Sequence, residues 1–121
     1  MAYIEEEGDL FDLPESVSLA HCVAQDFHMG AGIAKMFLKK FGSKDILRSR
    51  NIGIGEVTYI VSSTGKPCRY IYYLVTKNTS WSKPTYKTIE QSIIALFASL
   101  RTHNIDIIGM PYIGCGLKYL K

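Results

Sequence analysis

The chain has 121 residues, of which 47% are hydrophobic and 21% are charged, a composition typical of a single globular domain and not of a disordered segment. The net charge of +3 is too small to indicate nucleic-acid binding, although it would favour a ligand that carries phosphate groups. No apolar run is long enough to span a bilayer, and the acidic N-terminus lacks the features of a secretory signal. These features predict one domain over residues 1–121 that binds neither membranes nor nucleic acid.

The three cysteines, Cys22, Cys68 and Cys115, are an odd number and lie far apart. Neither a CxxC pair nor a Cys/His zinc signature is present, so we expect no metal site and no bound cofactor. Such cysteine usage is typical of a reducing compartment. We therefore expect a nuclear or cytoplasmic protein, and we expect it to be a monomer.

In the first third of the chain, residues 3–6 have the composition of a short strand, and the apolar residues 18–24 predict a buried strand. From Ile33 the apolar residues recur at helical spacing, which predicts a helix that ends near Gly42. The residues expected on the apolar face of this helix are Ile33, Met36, Phe37 and Phe41.

The middle of the chain predicts a short helix and a hairpin. Ser43 is suited to cap a helix over residues 44–50. Residues 56–62 and 70–76 are rich in strand-forming residues, and the turn-like residues 63–67 between them predict that the two strands pair as a hairpin.

The last third predicts the longest helix, with Pro84 in its first turn and its end near Asn104, followed by a buried strand over residues 105–110. The apolar face of the helix is expected to hold Ile89, Ile93, Leu96, Phe97 and Leu100. Strands that alternate with helices indicate an α/β domain in which helices flank a mixed sheet in three layers. Only four residues follow Leu117, so we expect the C-terminal helix and strand of such a fold to be missing.

Two glycine-bearing loops each follow a predicted strand, at residues 29–33 (Met-Gly-Ala-Gly-Ile) and 113–117 (Ile-Gly-Cys-Gly-Leu). Glycine lacks a Cβ, so backbone N–H groups can approach a ligand, and the first glycine loop opens a helix, whose N-terminus favours anions. Two such loops beyond the carboxyl ends of strands suit a diphosphate. By spacing alone, each loop could equally be a tight turn, because neither is a complete GxGxxG motif or P-loop.

Seven short stretches occur in a fixed order along nearly the whole chain: residues 8–11, 19–22, 29–34, 55–57, 69–77, 83–86 and 111–117. In that order they resemble the terminal ADP-ribose protein glycohydrolase branch of the macrodomain family. The resemblance is specific because many short matches agree and no single motif carries it. It implies a macrodomain-like mixed sheet and a site for ADP-ribose or for an ADP-ribosylated protein.

The resemblance also implies which residues contact the ligand. The aspartate of the family's Gly-Asp-Leu-Phe motif binds the adenine amino group, which gives this role to Asp9, and the two glycine loops border the diphosphate and the distal ribose. Taken alone, Asp9 would be assigned to a cap or turn and His21 to the core. The residues that the resemblance places at the ligand are Asp9, Leu10, His21, Met29, Gly30, Ala31, Gly32, Ile33, Thr76, Pro111, Ile113, Gly114, Cys115, Gly116, Leu117 and Lys118.

Lys77 matches the lysine that this branch of the family uses as a nucleophile on the anomeric carbon of the distal ribose. Such chemistry requires a neutral amine. Taken alone, a lysine at a strand end is usually solvated, as expected for Lys83 and Lys87. The resemblance therefore implies that Lys77 is the catalytic residue.

The chain departs from the family directly after the second glycine loop, where the family has an aspartate that handles protons and this chain has Lys118. An amine cannot simply replace a carboxylate, since their reference pKa values are about 10.4 and about 3.9. Loss of a general acid or base typically costs roughly 10²–10⁴-fold in rate. Lys118 would repel the protonated form of Lys77 and attract the diphosphate, and Asp26 is a candidate substitute for the carboxylate. We expect strong ADP-ribose binding with weak or absent hydrolysis.

Three functions are compatible with these residues. The first is a hydrolase that removes ADP-ribose from carboxylate side chains or deacylates O-acyl-ADP-ribose, which Lys77 and the glycine loops favour. The second is a reader that binds ADP-ribosylated proteins without cleaving them, which Lys118 favours. The third is a degenerate chain that neither binds nor cleaves.

Overall fold

The computed structural model describes residues 10–30, 32–63, 68–79 and 81–111. The strand predicted at residues 3–6 lies outside this part of the chain. The described elements, after a short 3-10 helix at Leu10–Asp12, are β1 (Ser18–Ala24), α1 (Gly32–Phe41), α2 (Lys44–Ser49), β2 (Val57–Ser63), β3 (Arg69–Lys77), α3 (Tyr86–Thr102) and β4 (Ile108–Gly109).

The four described strands form one mixed sheet in the order β2-β3-β1-β4. β1 is parallel to both β3 and β4, whereas β2 and β3 are antiparallel, as predicted for a hairpin. Because β1, β3 and β4 run in the same direction, their carboxyl ends meet at one edge of the sheet. We call this the carboxyl edge.

Helices cover both faces of the sheet, which confirms the predicted three-layer arrangement. Side chains alternate along a strand, so odd-numbered residues of β1 and β3 point to one face and even-numbered residues to the other. The α1-side cluster contains Phe37 with Leu19 and Val75 among others, and the α3-side cluster contains Leu96 with Ala20 and Leu74 among others. Since both faces are covered, every residue of β1 is buried.

The helices differ from the sequence prediction in their details. Met36 and Phe97, expected on buried faces, are 42% and 49% exposed and lie on the outer sides of α1 and α3. Ser43 precedes α2 without a side-chain cap and instead donates a hydrogen bond to the Phe41 carbonyl. The first turn of α3 is capped by Thr85 in a capping box with Thr88, so Pro84 precedes the helix and does not lie within it.

The strand predicted over residues 105–110 was too long and too buried. After α3, the Ile105 N–H donates to the Leu100 carbonyl and Asn104 has a φ of 56°, so the chain first turns away from the helix. Within residues 105–110, only Ile108 and Gly109 pair with β1, and Ile107 is 68% exposed. In the described part of the chain, no helix combines the length and apolar character needed to cross a membrane.

Candidate functional site

Backbone hydrogen bonding joins the end of β3 to the start of the β1–α1 connection (residues 25–31). Ala24 and Lys77 are register partners at the carboxyl edge. One residue further, the Gln25 N–H donates to the Lys77 carbonyl over 2.8 Å. Carboxyl edges of this kind are where open α/β sheets bind ligands. The predicted nucleophile is therefore hydrogen-bonded to the start of the connection that leads into the first glycine loop, although Gln25 and Lys77 are 52 positions apart in the sequence.

A register irregularity between β1 and β3 sets the position of Lys77. Val23 pairs with Val75, but Ala24 pairs with Lys77, so Thr76 is an extra residue in β3. Thr76 is buried, whereas Lys77 is half-buried. A bulge of this kind re-aims the side chains that follow it and is common near active sites. It places Lys77 at the rim of the sheet.

The β1–α1 connection contains non-glycine residues in the left-handed backbone region. Phe27 and Met29 have φ values of 50° and 52°. This region is unfavourable for side chains that have a Cβ, so the surrounding structure must hold it. Both side chains are buried, 1% and 4% exposed, and belong to the α1-side cluster. Core packing therefore stabilises a strained backbone in the β1–α1 connection.

Gly30 and Gly32 are both needed at this loop, for different reasons. A Cβ at Gly30 would lie 2.7 Å from Nε2 of His28, so the imidazole occupies the space of a side chain. Gly32 has open space around it, but its φ of +60° favours glycine. Gly32 is also the first residue of α1, whose first turn contains no acidic residue. The helix N-terminus can therefore attract an anion without a competing carboxylate.

Two cationic side chains of α2 contact the β1–α1 connection. Lys44 Nζ donates to the His28 carbonyl over 3.0 Å, and Arg48 Nε donates to the Asp26 carbonyl over 2.8 Å. The Asp26 carboxylate accepts the His28 N–H at 2.9 Å. These contacts fix the peptide groups that precede the first glycine loop.

His21 lies inside the α1 side of the sheet. Its imidazole is fully buried, stacked on Phe37 and edge-on to Tyr73. Burial lowers the pKa of His21 to about 3, so the ring is neutral. Among the described residues neither ring nitrogen has a hydrogen-bond partner. This geometry favours the assignment of His21 to the core. A core histidine usually has hydrogen-bond partners, and the His21 ring has none among the described residues. A ligand contact by the His21 side chain stays a prediction.

Comparison with known proteins assigns the chain to a family, because the model of the Macro domain matches residues 20–121. The chain belongs to the macrodomain family. A relative named ADP-ribose glycohydrolase OARD1, from Homo sapiens, is 43% identical over 115 residues, which cover 95% of this chain and 73% of that protein.

Solved macrodomain structures share the fold at low sequence identity. The macrodomain of Thermus aquaticus DarG matches with a TM-score of 0.79 and 22% identity, covering 93% of this chain and 78% of that one. Thermosipho africanus DarTG in complex with ADP-ribose matches with a TM-score of 0.73 and 18% identity, covering 91% of this chain and 32% of that one. These matches confirm a macrodomain fold with a mixed sheet and flanking helices.

Three of four other predicted ligand contacts of this macrodomain have side chains in or against the α1-side cluster. Met29 is buried in the α1-side cluster, and Leu10 and Ile33 pack against that cluster. Pro111 is partly buried and is the last described residue. The predicted contacts Asp9, Ala31, Ile113, Gly114, Cys115, Gly116, Leu117 and Lys118 lie outside the described residues and stay predictions.

Sequence reasoning missed several residues at this edge of the macrodomain. His28, which lies against Gly30, was not predicted at the site, and neither were the contacts of Lys44 and Arg48 with the loop. In the described part of the chain, Cys68 is a free cysteine. No group of three or more potential metal ligands occurs among the described residues.

Proposed function

We propose that this macrodomain binds ADP-ribose at the carboxyl edge and is a hydrolase. It either cleaves the bond between ADP-ribose and a glutamate or aspartate side chain, or removes the acyl group from O-acyl-ADP-ribose. The observation that carries the proposal is the hydrogen bond from the Gln25 N–H to the Lys77 carbonyl. It joins the candidate nucleophile to the start of the loop that would hold the diphosphate. The relative named ADP-ribose glycohydrolase and the related structure that holds ADP-ribose support the same ligand and reaction.

The ligand would lie with its diphosphate against the first glycine loop. The N-terminus of α1 and the N–H groups around Gly30 and Gly32 supply partial positive charge. Because glycine has no side chain, the phosphate oxygens can approach the backbone closely. The distal ribose would then extend towards Lys77 at the rim of β3.

Lys77 would act as the nucleophile. Its neutral amine attacks the anomeric carbon of the distal ribose, a C–N bond forms, and the C–O bond to the substrate carboxylate breaks. The carboxylate leaves as an anion, and water then cleaves the C–N bond to regenerate the amine. Proton transfer in the second step requires an acid or base near the anomeric carbon.

Turnover is proposed to be slow because the family's aspartate is replaced by Lys118. Asp26 lies in the β1–α1 connection, where its carboxylate accepts the His28 N–H, and it is the candidate substitute for the missing carboxylate. If no group replaces the aspartate, the protein would act as a reader of ADP-ribosylated proteins. Its nuclear or cytoplasmic location and its monomeric state stay predictions.

A release assay tests this proposal. Purified protein is incubated with a protein ADP-ribosylated on glutamate, and free ADP-ribose is measured over time. We expect slow release that is lost in Lys77→Ala and retained in Lys83→Ala, the control for removal of an exposed lysine. Release at an unchanged rate from Lys77→Ala would exclude the lysine mechanism. Binding of the modified protein without any release would identify a reader.

A further inference from the structure

Lys44 and Arg48 reach the same loop from one face of α2. They are four residues apart, which places them one above the other on a helix. Each donates a hydrogen bond to a backbone carbonyl of the β1–α1 connection, Lys44 to His28 and Arg48 to Asp26. We call these two residues the α2 cations. Their targets are main-chain groups, so the contacts fix the loop's backbone directly.

These contacts determine the direction of the neighbouring N–H groups. A peptide unit is planar, and its C=O and N–H point in opposite directions. A His28 carbonyl that points to Lys44 therefore directs the Met29 N–H away from α2. The Phe27 N–H, in the peptide held by Arg48, donates to the Ala24 carbonyl over 3.0 Å. The Met29 N–H, which directly precedes Gly30, therefore faces away from α2.

The left-handed residues explain why such support is needed. Phe27 and Met29 have positive φ values, and each lies directly after a carbonyl held by an α2 cation. Without the cations, the backbone between residues 26 and 29 could relax towards more favourable angles. Relaxation would rotate the peptide planes that lead into Gly30 and Gly32.

We propose that the α2 cations are positioning residues for the diphosphate, holding the β1–α1 connection in the conformation that binds ADP-ribose. The proposal rests on the proposed function, because it assumes that the ligand lies against this loop. The α2 cations need not touch the ligand. Their effect is transmitted through the carbonyls of Asp26 and His28.

The test compares Lys44→Met, Arg48→Met and the double variant with the wild type. Methionine keeps a long apolar stem but cannot donate. Lys39→Met is the matched control, since Lys39 is an exposed lysine on α1 and its loss removes the same charge. Lys44→Arg tests rescue by a donor of the same charge. Amide hydrogen exchange of the free protein and calorimetry with ADP-ribose are measured for each.

For the double variant we expect amide exchange in residues 25–30 to be roughly tenfold faster and the Kd for ADP-ribose to be roughly tenfold weaker. Lys39→Met should change neither, and Lys44→Arg should retain the wild-type affinity. If the double variant does not fold, the single variants provide the same comparison, with smaller effects.

The outcomes separate this proposal from the proposed function. Wild-type affinity in the double variant would overturn the positioning role and leave the binding site intact. An equal loss in Lys39→Met would also overturn it, because bulk charge would then explain the effect. A wild-type protein that does not bind ADP-ribose would overturn the proposed function and this role together.

Discussion

The imidazole of His21 stacks on the ring of Phe37, with centroids 3.7 Å apart and planes 13° from parallel. Tyr73 contacts the same imidazole edge-on, with centroids 4.8 Å apart. Both aromatic partners are fully buried. Protonation of His21 would place a charge among these rings without solvent, which is why burial lowers its pKa to about 3.

The low pKa of His21 predicts acid sensitivity. As the pH falls from 6.5 towards 3, histidine in the unfolded chain binds a proton that His21 in the folded protein does not bind. The unfolded state is therefore stabilised in this window, and the free energy of unfolding decreases. The expected loss from His21 is about 2 kcal/mol by pH 5. Chemical denaturation between pH 7 and pH 5 measures it.

His21→Phe should reduce this dependence on pH, because an aromatic ring is kept but the titrating group is removed. His28→Gln is the matched control, since the imidazole of His28 is exposed. It should retain the wild-type slope. An unchanged slope in His21→Phe would show that other groups cause the acid sensitivity.

The adjacent residues Tyr72 and Tyr73 predict opposite effects of the same substitution. Both are fully buried, but the Tyr72 hydroxyl is 2.6 Å from Nδ1 of His103, whereas the Tyr73 hydroxyl has no partner among the described residues. Tyr72→Phe should lower the free energy of unfolding by about 1 kcal/mol, and Tyr73→Phe should raise it by a similar amount. Urea denaturation of both variants measures the difference. Destabilisation in both would contradict the hydrogen-bond assignment.

Gly32 and Gly42 provide a matched pair at opposite ends of α1. Their φ values are +60° and +59°, and an added Cβ would meet nothing within 4 Å at either position. Alanine should therefore destabilise the protein at both positions by about 1–2 kcal/mol through the backbone alone. Only Gly32→Ala should also weaken ADP-ribose binding in calorimetry, because Gly32 lies at the proposed diphosphate site. Equal losses of affinity would mean that the effect is global.

Lys118→Asp restores the carboxylate that the family resemblance places after the second glycine loop. If its absence limits turnover, the variant should release ADP-ribose from a glutamate-linked substrate roughly 10²–10⁴-fold faster than the wild type. The Kd for ADP-ribose should increase, since a positive charge near the diphosphate is exchanged for a negative one. Lys121→Asp makes the same charge change outside the motif and should leave the rate unchanged. A rate in Lys118→Asp no faster than wild type would exclude this explanation.

The sequence predicted β1 at its observed bounds, Ser18–Ala24, because an uninterrupted apolar segment is buried on both faces of a sheet. For the same reason, the sequence did not show which face of the sheet the His21 side chain points to. In a strand with one polar face, alternation would have shown which residues point inward. In β1 both faces are apolar, so the stacking of His21 on Phe37 depends on which helix covers which face.

The support of the first loop could not be predicted. Lys44 and His28 are 16 residues apart, and Arg48 and Asp26 are 22 residues apart. No local pattern specifies which carbonyl a lysine or arginine will contact. The apolar composition of residues 105–110 also led to the wrong prediction that Ile107 is buried. Ile107 is exposed because, within this segment, only Ile108 and Gly109 pair with β1. Local periodicity predicts elements, whereas long-range contacts determine how their ends are held.

The most direct test of the central claim is a titration of isotopically labelled protein with ADP-ribose, followed through backbone amide chemical shifts. If the carboxyl edge binds the ligand, the largest shifts should come from the amides of Met29, Gly30, Gly32 and Lys77. Ser18 and Arg69, which begin β1 and β3 at the opposite edge of the sheet, should not shift. Shifts centred on Ser18 and Arg69, or no shifts at millimolar ADP-ribose, would contradict the assignment.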